Sequence, residues 1–176
     1  MYLRRMLLTF LLTAVVTAVA VAQTITITVV QDTTAPEVAL SMSRVLEDEI
    51  LGSYFENGKI VTNTDIAFDG HNYTEKNYGV KKAAHGLSDY VLVVYMHYGP
   101  GEKKHEKLNV KYAELKKASW RLVHVKSIKT IGEQDLDLSA VPIREFDPYM
   151  QIRMLGAVIA QNSLTALREA GKGETH

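Results

Sequence analysis

Six histidines in a chain of 176 residues invite a search for a metal site. Zinc holds its ligands at about 2 Å, so imidazoles that share an ion must converge. Folding Tyr90–Tyr98 onto Lys107–Leu115, and that onto Trp120–Ile131, sets His97 opposite Glu106 and His124 opposite Lys111. The two rings are then about five strand positions apart, roughly 17 Å at the rise of a strand. His71, His85 and His176 have no pairwise spacing typical of a site, and His105 stands beside a turn. The histidines read as surface or half-buried side chains, and no metal is expected.

Other chemical templates fail in the same way. Asp65-Ile66-Ala67-Phe68-Asp69-Gly70-His71 resembles the start of a calcium loop, but with Gly70 in sixth place the third and twelfth are Ala67 and Lys76. Both places need oxygen ligands. Asp135-x-Asp137 reads as a solvated loop. Glu47, Asp48 and Glu49 are adjacent on a helix and point in different directions, so they are no acid–base pair. No Gly-x-Ser-x-Gly elbow, phosphate-binding loop or pyrophosphate fingerprint occurs. Gly99-Pro100-Gly101 before Lys103 opens no helix and is read as a turn. Asn72-Tyr73-Thr74 is a glycosylation sequon, relevant only to a eukaryotic secretory route. Trp120 is expected to pack at a strand end. The expectation is therefore no catalytic residue, no cofactor and no enzymatic activity.

Charge is more informative. Lysine plus arginine equals aspartate plus glutamate at 20 each, yet the two signs are segregated. Asp32–Asp69 holds eight acidic and two basic residues, whereas Glu102–Lys129 holds nine basic and three acidic. In the register above, Lys107, Lys111 and Lys126 share one face of the two outer strands. Lys103 and Lys104 sit at one end, Lys116 and Lys117 at the other. Lysine on an exposed edge strand guards against edge-to-edge aggregation. The same seven residues are the candidate binding face for an acidic protein surface or an anionic polymer.

The elements that position these residues follow from periodicity. Thr24–Val30 alternates threonine with β-branched apolar residues and predicts a strand. Thr34 and Glu37 form a capping box, and Val38, Met42, Val45, Leu46 and Ile50 recur at helical spacing up to Gly52. Lys59–Thr62 is a short strand. Tyr73–His85 is a weaker helix closed by Gly86. Tyr90–Tyr98 is apolar on both faces, which predicts a central strand with helices on both sides. Two further strands join at Lys116–Ser119 and run toward a solvent-exposed edge. Glu145–Ala170 is a long helix. The result is an α/β (α+β) fold, a mixed, mainly antiparallel sheet of about five strands in the order β-α-β-α-β-β-β-α.

Several of these stretches together resemble the domain shared by the amino-terminal part of TolB, the curli-secretion protein CsgG and the penicillin-binding-protein activator LpoB. They are the helix "ALSMSRVLEDEILGS" leading to "GKIVTN", the stretch "HGLSDYVLVVYM", the hairpin "KLNVKYAELKKASWRLVHV" and the long closing helix. The resemblance implies a mixed sheet with helices, a bacterial cell-envelope location and a binding role. Neither a lipidated cysteine, a propeller nor membrane-crossing hairpins carry over.

The amino terminus agrees with export. Arg4 and Arg5 precede an apolar run from Met6, and Ala20-Val21-Ala22 is a small-x-small cleavage site. Residues 1–22 read as a signal peptide and 23–176 as a single domain. With no cysteine, that domain has no disulfide and is held by packing. Export places it in the periplasm, free or peripheral to the outer membrane, and makes nucleic acid an unlikely partner. No transmembrane span is expected after cleavage, and the oligomeric state stays open. Two function classes follow. One is a non-catalytic envelope protein with an accessory or assembly role that binds another envelope protein or an anionic envelope polymer. The other is a small exported ligand-binding protein or hydrolase whose pocket the sequence does not advertise. The failed catalytic templates favour the first. Mass spectrometry of the mature protein is expected to find Gln23 at its amino terminus; an intact Met1 in the purified envelope fraction would contradict export with cleavage.

Overall fold

The computed structural model describes residues 23–69, 72–138 and 147–173. Six strands form one sheet: β1 (Thr24–Gln31), β2 (Ile60–Asn63), β3 (Ala67–Phe68), β4 (Tyr90–His105), β5 (Val110–His124) and β6 (Lys129–Leu136). The helices are α1 (Glu37–Glu56), α2 (Val80–His85) and α3 (Pro148–Gly173). The α+β class and the element order are those expected, with β3 as a two-residue addition beside the end of β1. The sheet order is β2-β1-β4-β5-β6. Pairing is parallel from β2 through β1 to β4 and antiparallel from β4 through β5 to β6.

Tyr90–Met96 is buried along its whole length. Leu92, Val94 and Met96 face the larger core, with Met42, Leu46 and Ile50 of α1 and Ile152, Leu155 and Ile159 of α3. Val91, Val93 and Tyr95 face a smaller cluster with Val30, Val123, and Val80 and Ala83 of α2. Both clusters lie between Ile25 and Leu167. Thr26 and Thr28 of β1 are buried too. Thr26 Oγ1 meets Thr62 Oγ1 at 3.2 Å and Ser88 Oγ at 2.8 Å, which satisfies its hydroxyl away from water. Tyr54 joins the two long helices by donating to Ser163 Oγ at 2.7 Å, and burial pushes its pKa up to about 12.

Several local expectations are corrected. Gly99-Pro100-Gly101 does not reverse the chain. Tyr98 pairs with Leu115 and Glu102 with Ala113, so these residues form a bulge inside β4, with Gly101 at φ 79°. The chain turns instead at 106–109, where Asn109 adopts φ 50°. Lys116–Ser119 is likewise no turn but the middle of β5, with Lys117 opposite His97. The next reversal is at 125–128, and β6 follows as the edge. Val125 therefore flanks the Val93 cluster, whereas Val110 pairs with His105 far from it. His97 and His124 do not face Glu106 and Lys111; His124 pairs with Tyr90.

Helix ends differ as well. Thr34 donates to Asp32 Oδ1 at 2.6 Å rather than capping α1, which starts behind Pro36 without a side-chain cap and runs past Gly52. The segment from Tyr73 is a 3₁₀ turn followed by turns, and only Val80–His85 is α-helical. Gly86 has an ordinary φ of −79°; the left-handed residue is Leu87 at φ 57°. Glu145 lies outside the described residues. At α3, Asp147 Oδ1 accepts from the N–H groups of Tyr149 and Met150 at 2.9 and 3.1 Å, with Pro148 first in the helix.

The crossing of α1 and α3 is close at Gly156. A Cβ there would stand 3.0 Å from Glu49 Cβ and 3.1 Å from the Leu46 carbonyl oxygen. Alanine favours a helix over glycine by about 0.8–1 kcal/mol. Overpacking against backbone costs about 1–3 kcal/mol and wins here. The Gly156→Ala variant is expected to melt below wild type in thermal denaturation; a higher melting temperature would show that the helices can part at no cost.

Candidate functional site

Both long helices lie on one face of the sheet, and among the described residues the other face is covered by α2 and the chain before it. The side chains there stand in register across three strands. Val93, Arg121 and Glu133 form one row, and Tyr95, Ser119 and Asp135 the next. They floor a concavity of about 420 Å³, walled on one side by Tyr73 and Thr74 and on the other by β6.

The wall is pinned by two contacts. Tyr73 stacks on Tyr95 with ring centroids 3.7 Å apart and planes within 2°. Arg121 donates from Nη1 to the Thr74 carbonyl at 3.0 Å and from Nη2 to those of Tyr73 and, at 2.9 Å, Glu75. One guanidinium thus satisfies three carbonyls of a segment with little secondary structure, a use for which its fork of donors is suited. Burial, reinforced by Tyr73 and Asp32, raises the Tyr95 pKa to about 12, so its hydroxyl stays protonated. Across the shelf Lys117 Nζ lies 3.2 Å from Asp135 Oδ2. Stacked rings, a hydroxyl and paired charges of both signs suit an extended ligand of mixed polarity.

At the end of β1, buried Asp32 collects four donors. These are the N–H and hydroxyl of Thr34 at 3.1 and 2.6 Å, the N–H of Tyr98 at 3.0 Å, and His97 Nδ1 at 3.1 Å. Burial works to raise its pKa, but the bonds from Thr34 and Tyr98 and the nearby His97 outweigh it and hold the carboxyl below its ordinary value. This pair ties β1 to β4 above the shelf. Among the described residues no three His, Cys, Asp or Glu side chains gather as a metal site would require.

The seven lysines of the basic stretch do not form one face. Lys103 and Lys104 are on β4, Lys107 is in the 106–109 turn, and Lys126 is in the turn beyond the other end of β5. Lys111 and Lys126 are separated by about 45–50 Å of strand. Four of the seven are matched by carboxylates. Lys103 and Lys116 bracket Glu114, which holds its pKa down to about 2; Lys111 Nζ is 2.8 Å from Glu102, and Lys117 meets Asp135. Only Lys117 borders the shelf. Trp120 packs into the larger core, over Gly132 and Ala166. The Tyr73–Tyr95 stack and the Arg121 clamp escaped the sequence reading. The run Gln31-Asp32-Thr33-Thr34 did carry a signal, since Asp followed by Thr at a strand end favours this local bonding.

An open mixed sheet with two long helices on one face and an uncovered shelf on the other defines the class. Within it, the chain belongs to the family described as "Uncharacterised protein", whose model matches residues 24–168. This is a different family from the TolB, CsgG and LpoB group suggested by the sequence patterns. No curated protein matches the chain. Its fold is similar to that of protein XCC0632 from Xanthomonas campestris, of family DUF330, with TM-score 0.52 and 12% identity over 86% of this chain and 89% of that one. A PelC dodecamer from Paraburkholderia phytofirmans matches at TM-score 0.42 and 12% identity, over 80% and 85%.

Replacing Asp32 by Asn removes the charge from four hydrogen bonds, and bonds to charged groups contribute about 1.5–3 kcal/mol. The Asp32 pKa is lowered by folding, so its contribution is present above the unfolded value of about 3.9 and is lost as pH falls through the folded one. Denaturant titrations are expected to show Asp32→Asn less stable at pH 7, with the gap narrowing below pH ~4. A gap that is constant with pH would contradict the assignment.

Proposed function

We propose that this chain is a non-catalytic, exported protein of the bacterial cell envelope that binds another envelope protein in an accessory or assembly role, and that the shelf and β6 are where it binds. The observation that carries this reading is the position of the shelf beside an edge strand. The outer edge of β6, Lys129–Leu136, carries no further strand among the described residues, and it forms one wall of the concavity. An extended segment can add to such an edge through main-chain hydrogen bonds and place alternate side chains on the adjoining face. β6 has no proline; its edge guards are Lys129, Glu133, Asp135 and an irregularity opposite Leu122 and Val123, which leave its main chain without a partner strand among the described residues.

An anionic polymer is the second reading, and the lysines around the 106–109 turn favour it. Four of the seven are matched by carboxylates, and the shelf holds Glu133 and Asp135 as well as Lys117 and Arg121. That balance favours a partner of mixed polarity. The signal-like residues 1–22 support the envelope location, and no helix among the described residues is long and apolar enough to cross a membrane.

Ser119 lies on the floor of the shelf, and an arginine there would fill it. Affinity capture from solubilised native envelope is expected to lose the partner, at least about tenfold, with Ser119→Arg, while the melting temperature stays within a few degrees. Capture by Lys103→Gln/Lys104→Gln/Lys107→Gln is expected to match wild type. The reverse pattern, with capture falling steeply as salt rises, would move the site to the turn lysines.

A further inference from the structure

One end of the sheet differs from the rest of the surface. Thr24 enters there, and hydrogen bonds tie the neighbouring loops around it. Thr24 Oγ1 lies 3.3 Å from the Leu87 carbonyl oxygen, Asp89 N–H donates to the Thr24 carbonyl at 2.9 Å, and Val125 N–H to that of Asp89 at 2.8 Å. Ile60 N–H donates to the Gln23 carbonyl at 3.2 Å, and Gly58 N–H to that of Phe55 at 2.9 Å. Around this ring stand Leu87, 86% exposed, Phe55 at 74%, Ile60 at 54% and Ile128 at 48%. They are four of the eight large apolar side chains exposed among the described residues; Phe68, Leu108 and Met150 stand toward the opposite end.

Two of them are held out at a conformational cost. Leu87 has φ 57° and Ile128 has φ 54°. A β-branched residue in the left-handed region is a genuine outlier, and glycine would sit there without strain. Leu87 in particular leaves most of its side chain in solvent. The basic residues next to these tips are Lys59, Lys126, Lys129 and Arg168; Lys59 Nζ donates to Gln23 Oε1 at 2.6 Å and Arg168 Nη2 to Asn57 Oδ1 at 2.9 Å. The carboxylates at this end are Glu56, Asp89 and Glu169, and Asp89 is engaged by the N–H and hydroxyl of Thr24 at 2.9 and 2.8 Å.

We propose that this end is a docking face for a lipid bilayer with anionic headgroups. Separate apolar tips on short loops can enter between headgroups while a ring of lysines meets their charge, the pairing that peripheral membrane attachment requires. This inference does not rest on the shelf, which lies on the sheet's open face between Tyr73 and β6.

The test uses the chain starting at Gln23, which holds both core clusters, with its cooperative melt as the control for folding. Sedimentation with phosphatidylethanolamine vesicles containing phosphatidylglycerol is expected to carry down the wild-type chain, and phosphatidylcholine vesicles much less. The Leu87→Gly/Ile128→Gly variant relieves both strained positions, so its melting temperature is expected to hold or rise, while its vesicle binding falls at least about tenfold. Ser119→Arg is expected to bind vesicles like wild type. Wild-type chain that ignores the phosphatidylglycerol vesicles, or a double-glycine variant that binds them as well as wild type, would overturn the proposal. So would loss of an envelope protein from capture by the double-glycine variant when wild type ignores the vesicles; that result would make the face a protein interface.

Discussion

The architecture depends on β4. Tyr90–Met96 is apolar on both faces, so it must be covered twice, and the described residues supply two long helices. Both go to the same side. There α1 and α3 cross at Gly156 and close the larger core, joined by the buried bond from Tyr54 to Ser163. The second side is left to a six-residue helix and the turns before it. Such a cover is too small to reach across the sheet. It protects Val91, Val93 and Val123 and stops, and the remaining rows on β4, β5 and β6 become the shelf.

A cover so short needs anchoring, and the anchors are polar. Arg121 reaches from β5 to three successive carbonyls, and Tyr73 lies flat on Tyr95. The same side chains that pin the cover therefore form one wall of the open site. Positioning is rigid on that side and on β5, while β6 offers an edge. On this account the binding surface is a consequence of incomplete burial rather than a separate feature of the fold.

Much of this was legible in the sequence. A strand with no polar face had to be central, and the helical spacing in α1 named Met42, Leu46 and Ile50 among its buried residues. The reversals were not legible, because glycine marks a bulge as readily as a turn. Gly99-Pro100-Gly101 interrupts β4 without ending it, whereas the real turns use Asn109 and Ile128 in the left-handed region. A slip of that kind moves every later residue. It brought Lys107, Lys111 and Lys126 together on paper, where the structure spreads them along the length of β5. The shelf was hidden for another reason. Tyr73, Tyr95 and Arg121 are far apart in sequence, and only the true register brings them together.

Backbone amide hydrogen exchange of the protein, alone and bound to its captured envelope partner, tests the central claim most directly. The account predicts that binding slows exchange along Lys129–Leu136, the edge that is open in the isolated chain, and at Tyr73–Glu75 beside it. Protection gained around residues 103–111, with β6 unchanged, would contradict it.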